Sequence, residues 1–365
     1  MVSIEEKIKA IEEEIRNTDY NKATQHHIGK LKAKLAQLRE ELIKKRASKG
    51  KGFGFAVKKS GHATAVLIGS PSVGKSTLLN QLTNAESRVE AYDFTTLDVI
   101  PGVMEYKELK IQILDIPGII TGASIGKGRG REVLSIARNS DLILLMIDPP
   151  RTENLQSVLK ELYDAGIRLD QERPNFTIKK TIKGGIKLVL TIKLTRIDEK
   201  TVRTILNEYG IHSAEITINE DLTEDRLIDG ILGNSVYLPS VVVLNKIDTI
   251  KDDEMIKIKN RFKDIVAVSA MNKINLEELR EKIFNKLNMI RVYMKPRGKK
   301  PDFNDPLIVK YGSKIEDVCD ILHKEFKNKF KYAQVWGKSA RFPGQRKGLN
   351  HVLEDGDVLT IIRDS

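Results

Sequence analysis

Residues 69–80 read GSPSVGKSTLLN. Gly69, Gly74, Lys75 and Ser76 stand at the spacing G-x-x-x-x-G-K-S, which suits a loop wrapped around phosphate. The glycines let the backbone turn tightly and aim its N–H groups inward, and a helix opening at the loop adds the positive end of its dipole. Lys75 can reach the β- and γ-phosphates of a nucleotide, and the Ser76 hydroxyl can bind Mg²⁺. Pro71, Ser72, Val73 and Thr77 complete the expected phosphate-binding surface.

Three further stretches extend this chemistry. Asp115–Gly118 reads DIPG and follows an apolar run. Asp115 can hold Mg²⁺ through water, and the Gly118 N–H can meet a γ-phosphate. Asn245–Asp248 reads NKID after another apolar run. The Asp248 carboxylate can accept from N1–H and N2–H₂ of guanine, a donor pair that adenine lacks. Asn245 can bond the N7 side of the base, and the Lys246 stem can lie along the ring. At Ser269 and Ala270, in VSA, the backbone can donate to the guanine O6. The expected ligand is therefore GTP or GDP. Between the first two stretches lies YDFTTLDVIPG. Thr95 or Thr96 can complete the Mg²⁺ shell and sense the γ-phosphate, and Thr96 is favoured. The expected metal set is Ser76, Thr96 and Asp115, and the expected catalytic set is Lys75, Thr96 and Gly118. Residues 118–132 carry five glycines and no apolar period. Hydrolysis would release such a segment together with the threonine stretch.

These loops need rigid elements behind them. ATAVLIG, LKIQILD, LILLMID and SVVVLN are continuous apolar runs of the kind found in a parallel sheet covered on both faces. Helical stretches lie between them, so the expectation is a doubly wound α/β domain. About ninety residues separate Asp148 from Ser240, far more than a crossover needs. Within them NFTIKKTIKGGIKLVLTIKLT reads as a hairpin turning at Gly184-Gly185, followed by a helix, a strand and a second helix. Ahead of the sheet, Ile4, Ile8, Ile11 and Ile15 recur at helical spacing, with Ser3 and Glu6 in a capping-box pattern. Ile28, Leu31, Leu35, Leu38 and Leu42 form a second, heptad-like stripe, so a helical hairpin is expected. After Lys295 a proline-rich basic linker precedes a strand at 307–309, a helix at 315–326 and further strands. The expected organisation is a hairpin at 1–48, a Gly/Lys linker at 49–60, a first nucleotide-binding part at 61–167, an insertion at 168–237, a second nucleotide-binding part at 238–290 and a terminal α+β domain at 291–365.

Composition narrows the class. The 365-residue chain has a single cysteine, Cys319, so it holds no internal disulfide. No apolar run approaches the roughly 18 residues of a membrane helix, and the adjacent His26 and His27 do not face one metal site. A cytoplasmic protein without a membrane role is expected, and nothing demands more than a monomer. The net charge of +12 is segregated: residues 1–60 carry +7, residues 61–290 carry −1 and residues 291–365 carry +6. Basic ends are the electrostatic footprint of a polyanion such as RNA.

GSPSVGKSTLLN, YDFTTLDVIPG and DIPGIITGASIGKGRGREVLSIARNSDLIL together resemble the developmentally regulated GTP-binding protein (DRG) family, in the Obg class of TRAFAC GTPases. The resemblance implies an insertion similar to ribosomal-protein-S5 domain 2 and a C-terminal β-grasp TGS domain. It also implies Mg²⁺-dependent GTP hydrolysis and association with ribosomes. The family's magnesium hydroxyls fall on Ser76 and Thr96, and its base-reading residues on Asn245, Lys246 and Asp248. Many GTPases place a water-orienting glutamine just after D-x-x-G. Here that residue is Ile119, so slow intrinsic hydrolysis is expected, assisted by a partner protein, by K⁺ or by RNA. Potassium-activated relatives carry an Asn in the phosphate loop where this chain has Ser72. Two other readings stand beside the ribosomal switch: a GTP-stabilised protein-binding scaffold with negligible turnover, and an RNA-binding regulator acting off the ribosome.

Overall fold

The computed structural model describes residues 3–47, 60–83, 99–116, 130–262 and 264–364. These fall into two compact units. One collects the N-terminal helices, residues 130–138 and residues 157–238. The other collects the nucleotide-binding sheet and the C-terminal domain.

In the second unit, six strands form one sheet in the order Ile265–Ala267, Ser240–Leu244, Leu142–Ile147, Ala63–Gly69, Leu109–Asp115 and Ile100–Tyr106. The first five run parallel, and the sixth is an antiparallel edge. The apolar runs form strands because every residue of Ala63–Gly69 and of Leu142–Ile147 is buried, which no half-exposed strand would allow. Helices Lys75–Leu82 and Leu276–Leu287 pack Leu78, Leu79, Leu82, Leu279 and Ile283 against one face. The edge strand lies in sequence that reads only as loop, because its first residues belong to the threonine stretch. Its neighbour Leu109–Asp115 supplies the missing signal by offering a free edge, and a short turn at Lys107 and Glu108, both with positive φ, returns the chain.

The C-terminal domain is a five-stranded mixed sheet in the order Leu307–Lys310, Met289–Met294, Asp357–Arg363, Phe330–Trp336 and Gln345–Lys347. Here the expectation of a linker after Lys295 is corrected. Met289–Met294 pairs with both Leu307–Lys310 and Asp357–Arg363, so the basic stretch after it joins two strands of one sheet. The expected helix at 315–326 is two helices, Ile315–Leu322 and Lys324–Asn328, broken at His323, whose backbone is extended. Met289 and Ile308 pack on the core of the nucleotide-binding sheet, and Lys310 pairs with Asp141 at 3.1 Å.

The first unit holds helices Ile4–Asn17 and Gln25–Ala47 and a three-stranded sheet. Ser3 and Glu6 form the expected capping box. The expected hairpin at Gly184-Gly185 does not form. Phe176–Lys180 and Ile186–Leu190 lie on opposite sides of Ala214–Ile218, antiparallel and parallel to it respectively. Ala214, Ile216 and Ile218 are fully buried, and that strand takes the central place because both flanking strands are half-exposed.

The N-terminal helices are not a free arm. Gln25–Ala47 uses a second face besides its leucine stripe. Ala33 and Ala36 pack in the insertion's core, and Gly29 lies so close that a Cβ there would meet Thr201 Cγ2 at 2.7 Å. Lys32 pairs with Asp225 at 2.7 Å, and the Tyr20 hydroxyl donates to Glu224 at 2.8 Å. Arg39 bridges Glu12 and Asp164, each at 2.7 Å. Part of the positive charge of residues 1–60 is therefore neutralised within the chain.

Candidate nucleotide-binding site

The site lies at the C-terminal ends of the parallel strands, where an open α/β sheet binds its ligands. Gly69 ends the central strand. Ser70 to Gly74 form the loop, and Lys75, Ser76 and Thr77 open the helix Lys75–Leu82. Ser72 and Gly74 both take left-handed backbone, with φ of 63° and 93°. Gly74 is required there for a second reason: a Cβ would sit 2.4 Å from Asn245 Nδ2. Such a turn directs consecutive N–H groups into one concavity ahead of the helix N-terminus, which favours an anion.

Lys75 donates from Nζ to the Gly69 and Ser70 carbonyl oxygens, each at 3.4 Å. Burial draws its ammonium below the usual lysine range, with the Asp115 charge opposing. Asp115 ends the neighbouring strand, and its Oδ2 accepts from the Ser76 hydroxyl. Burial pushes its carboxyl above the usual range, against the Ser76 hydrogen bond and the Lys75 charge. A carboxylate beside a hydroxyl, at the foot of a phosphate loop, is a hard oxygen donor pair of the type that Mg²⁺ takes. The residues present fit that ion.

Asn245 and Lys246 bring the NKID stretch against the loop. Asn245 Nδ2 donates to the Val73 carbonyl at 2.9 Å, and its Oδ1 accepts from the Ala270 N–H at 3.0 Å. One N–H of its amide remains for a ligand, since an amide nitrogen carries two donors. Lys246 also has left-handed backbone, and its ammonium donates to the Ser72 carbonyl at 2.7 Å. Asp248 stands in the short 3-10 turn Ile247–Thr249. Ser269 and Ala270 follow the strand Ile265–Ala267, and the Ser269 hydroxyl accepts from the Asn272 N–H at 3.1 Å. Val73, Asn245, Ser269 and Ala270 are buried.

Three residues at the site were not singled out from sequence. Asp148 follows the strand Leu142–Ile147 and is buried, with Oδ2 3.6 Å from Lys246 Nζ and Oδ1 without a hydrogen-bond partner among the described residues. Arg151 donates to the Pro71 carbonyl at 3.0 Å, and Asn154 donates to the Ser70 hydroxyl at 3.2 Å. An acid ending a wholly apolar strand was the available signal for Asp148. Thr95, Thr96, Gly118 and Ile119 lie outside the described residues.

Comparison with known proteins agrees with this geometry. The family described as 50S ribosome-binding GTPase matches residues 64–180, the C-terminal region of the same domain matches 183–289, and the TGS domain matches 290–363. Human developmentally-regulated GTP-binding protein 2 is 46% identical over 364 residues, covering 99% of this chain and 100% of its own. The chain belongs to the DRG family. A homologue of the same protein in Dictyostelium discoideum is 47% identical over 364 residues, with the same coverage. An uncharacterized GTP-binding protein of Methanocaldococcus jannaschii is 57% identical over 367 residues, covering 99% of this chain and 93% of its own. This DRG-family chain thus has an α/β P-loop GTPase domain and a C-terminal TGS domain, and the family binds guanine nucleotides. Among its described residues no helix is long and apolar enough to cross a membrane.

Proposed function

We propose that this chain is a Mg²⁺-dependent GTPase switch that hydrolyses GTP to GDP and phosphate and docks on ribosomes or their RNA in the cytoplasm. The observation that carries the reading is the double tie of Asn245 and Lys246 onto the Val73 and Ser72 carbonyls, which joins base recognition to the phosphate loop. In this reading Gly69 to Thr77 cradle the phosphates, with Lys75 on the β- and γ-phosphates. Asp248 accepts from the guanine N1–H and N2–H₂, and the backbone at Ser269 and Ala270 faces O6. Ser76, Thr96 and Asp115 hold Mg²⁺, which when bound neutralises charge on the transferring phosphoryl oxygens. The Gly118 N–H meets the γ-phosphate and relays its loss.

Ile119 cannot orient a water molecule, so intrinsic turnover is slow and a docking partner supplies the missing stabilisation. The description of the matching family as ribosome-binding, the TGS domain and the basic C-terminal end support a ribosomal partner. Ile119 also favours a second reading, a scaffold stabilised by GTP. GTP turnover with and without ribosomes, in K⁺ and in Na⁺ buffers, separates the two. Acceleration by ribosomes is the expected result. Acceleration by K⁺ alone assigns the assistance to the ion despite Ser72. Turnover that stays at the level of controls under every condition leaves the scaffold. Ribosome sedimentation that is the same with a GTP analogue, with GDP and without nucleotide would sink the switch.

A further inference from the structure

The three-stranded sheet of the insertion has two edges, and they differ. Asn219 N–H donates to the Asn175 carbonyl and Thr181 N–H to the Ser213 carbonyl, each at 3.0 Å. Antiparallel neighbours exchange hydrogen bonds at every second residue. In this register Asn175, Thr177, Lys179 and Thr181 turn their backbone groups toward residues 213–219, while Phe176, Ile178 and Lys180 turn theirs to the free edge. Those edge N–H and C=O groups have no hydrogen-bond partner among the described residues. At the opposite edge, the Ile186 carbonyl accepts from the Arg203 guanidinium.

The same alternation sends the Phe176 and Ile178 side chains onto the insertion's core. A groove of about 490 Å³ follows the strand there, walled on its far side by Tyr209, Ile211, Gly230 and Ile231. Gly230 lies under the Phe176 ring, which a Cβ at that position would strike. The rim is basic: residues 173–197 contain no Asp or Glu. Lys179, Lys180 and Lys183 are exposed and have no carboxylate within ion-pair distance among the described residues. Glu215, opposite Lys179 in the register, is engaged by Lys187 at 3.2 Å. Ile182, in the turn that follows the strand, is 97% exposed.

An edge strand with open backbone groups is a template for one more strand. A residue paired with Phe176 or Ile178 places its side chain on their face, in the groove. Its neighbours stand on the other face, beside Thr177 and Lys179. The groove suits apolar side chains, and the lysine rim suits carboxylates. A second copy of this chain fits poorly, because it would bring Lys179 and Lys180 of both copies to one seam. Nucleic acid would satisfy the lysines and leave the edge amides and the groove unused. We infer that Phe176–Lys180 is a docking edge for another protein, which adds an extended segment of alternating apolar and acidic residues as a fourth strand. This goes beyond the GTPase reading and does not depend on it.

The test uses the full chain and a fluorescein-labelled peptide of five Val-Glu repeats. Anisotropy is expected to show saturable binding. Val-Lys repeats, and a peptide of the first composition with its valines and glutamates in two blocks, are each expected to bind at least about tenfold more weakly. Lys180→Pro removes an edge N–H that the central strand does not use, and should lose about tenfold in affinity. Lys180→Gln removes only the charge, and should lose about threefold or less. Lys179→Glu/Lys183→Glu should prefer Val-Lys repeats to Val-Glu repeats. In amide hydrogen exchange of the parent chain, followed by NMR, Phe176, Ile178 and Lys180 should become protected when the peptide binds. Thr177 and Lys179, already bonded within the sheet, should not change. This pattern is read on the parent, so it decides the question even where Lys180→Pro melts early. Failure of the parent to bind the Val-Glu peptide, or binding without protection of those three amides, overturns the inference. Equal losses in the Lys180→Pro and Lys180→Gln variants would leave Lys180 as a charge only and overturn strand addition. A dimer in sedimentation equilibrium that Lys180→Pro dissolves would give the edge to a second copy instead. Equal competition between the peptide and oligouridylate, with neither protecting the three amides, would give the lysines to nucleic acid and also overturn it.

Discussion

Lys246 Nζ donates to the Ser72 carbonyl oxygen at 2.7 Å across 174 positions of sequence. The loop expected to read the base is therefore fastened to the loop expected to hold phosphate, and Asp148 stands behind the same ammonium at 3.6 Å. A hydrogen bond from a charged donor contributes about 1.5–3 kcal/mol. Lys246→Ala should weaken GTP binding about tenfold to a hundredfold by calorimetry. Asp148→Asn should cost less than about tenfold, because Lys246 is partly exposed. Adding Asp148→Asn to Lys246→Ala should cost little more. Additive losses would show that Asp148 acts independently of Lys246.

Lys75→Ala removes the ammonium that donates to the Gly69 and Ser70 carbonyls of the phosphate loop. GTP turnover should fall by about a hundredfold or more, in line with the loss of a charged group from a preorganised phosphate site. Turnover at the level of the parent would refute the assignment of this loop.

Asp248→Asn exchanges an acceptor for a donor. GTP affinity should drop about tenfold to a hundredfold, because the guanine N1–H and N2–H₂ lose a charged acceptor, and xanthosine triphosphate should become the better ligand. Competition between the two nucleotides gives the answer directly. A persistent preference for GTP would remove Asp248 from base recognition.

Gly74→Ala meets two obstacles, a φ of 93° and a Cβ position 2.4 Å from Asn245 Nδ2. The amide must then leave its bond to Val73. A loss of GTP affinity of about tenfold or more, with little change in far-ultraviolet circular dichroism, is the expected outcome. Binding like the parent's would mean that the two loops separate freely.

Gly29 allows the helix Gln25–Ala47 to approach Thr201 and Ile205 closely. Gly29→Leu should strain this packing by about 1–3 kcal/mol. Limited proteolysis should then cut the N-terminal helices faster, while GTP binding stays intact. An unchanged cleavage pattern would show that the helices hold without this contact.

Much of the site was legible because its chemistry is local. Gly69, Gly74, Lys75 and Ser76 sit within one turn and the start of one helix, so their spacing alone dictates where the N–H groups, the ammonium and the hydroxyl go. Asp115 and Asn245 each end an apolar run, and runs so short and rich in β-branched residues read as buried strands. Other features depend on partners that no local pattern names. The leucine stripe of the second N-terminal helix predicts one apolar face, while Gly29, Ala33 and Ala36 carry almost no hydrophobic signal and still form a second. The strands at 176–180 and 186–190 look like a hairpin because alternation encodes which face is buried and not which strand lies alongside. Asp148 reads as the last residue of a strand until folding sets it behind Lys246. The sequence by itself pointed to the phosphate loop and the nucleotide class, the first through short-range backbone geometry and the second through the donor and acceptor groups of NKID. The tertiary structure decided how the two loops are joined and what the N-terminal helices cover, because contacts between remote segments depend on close packing that sequence spacing does not record.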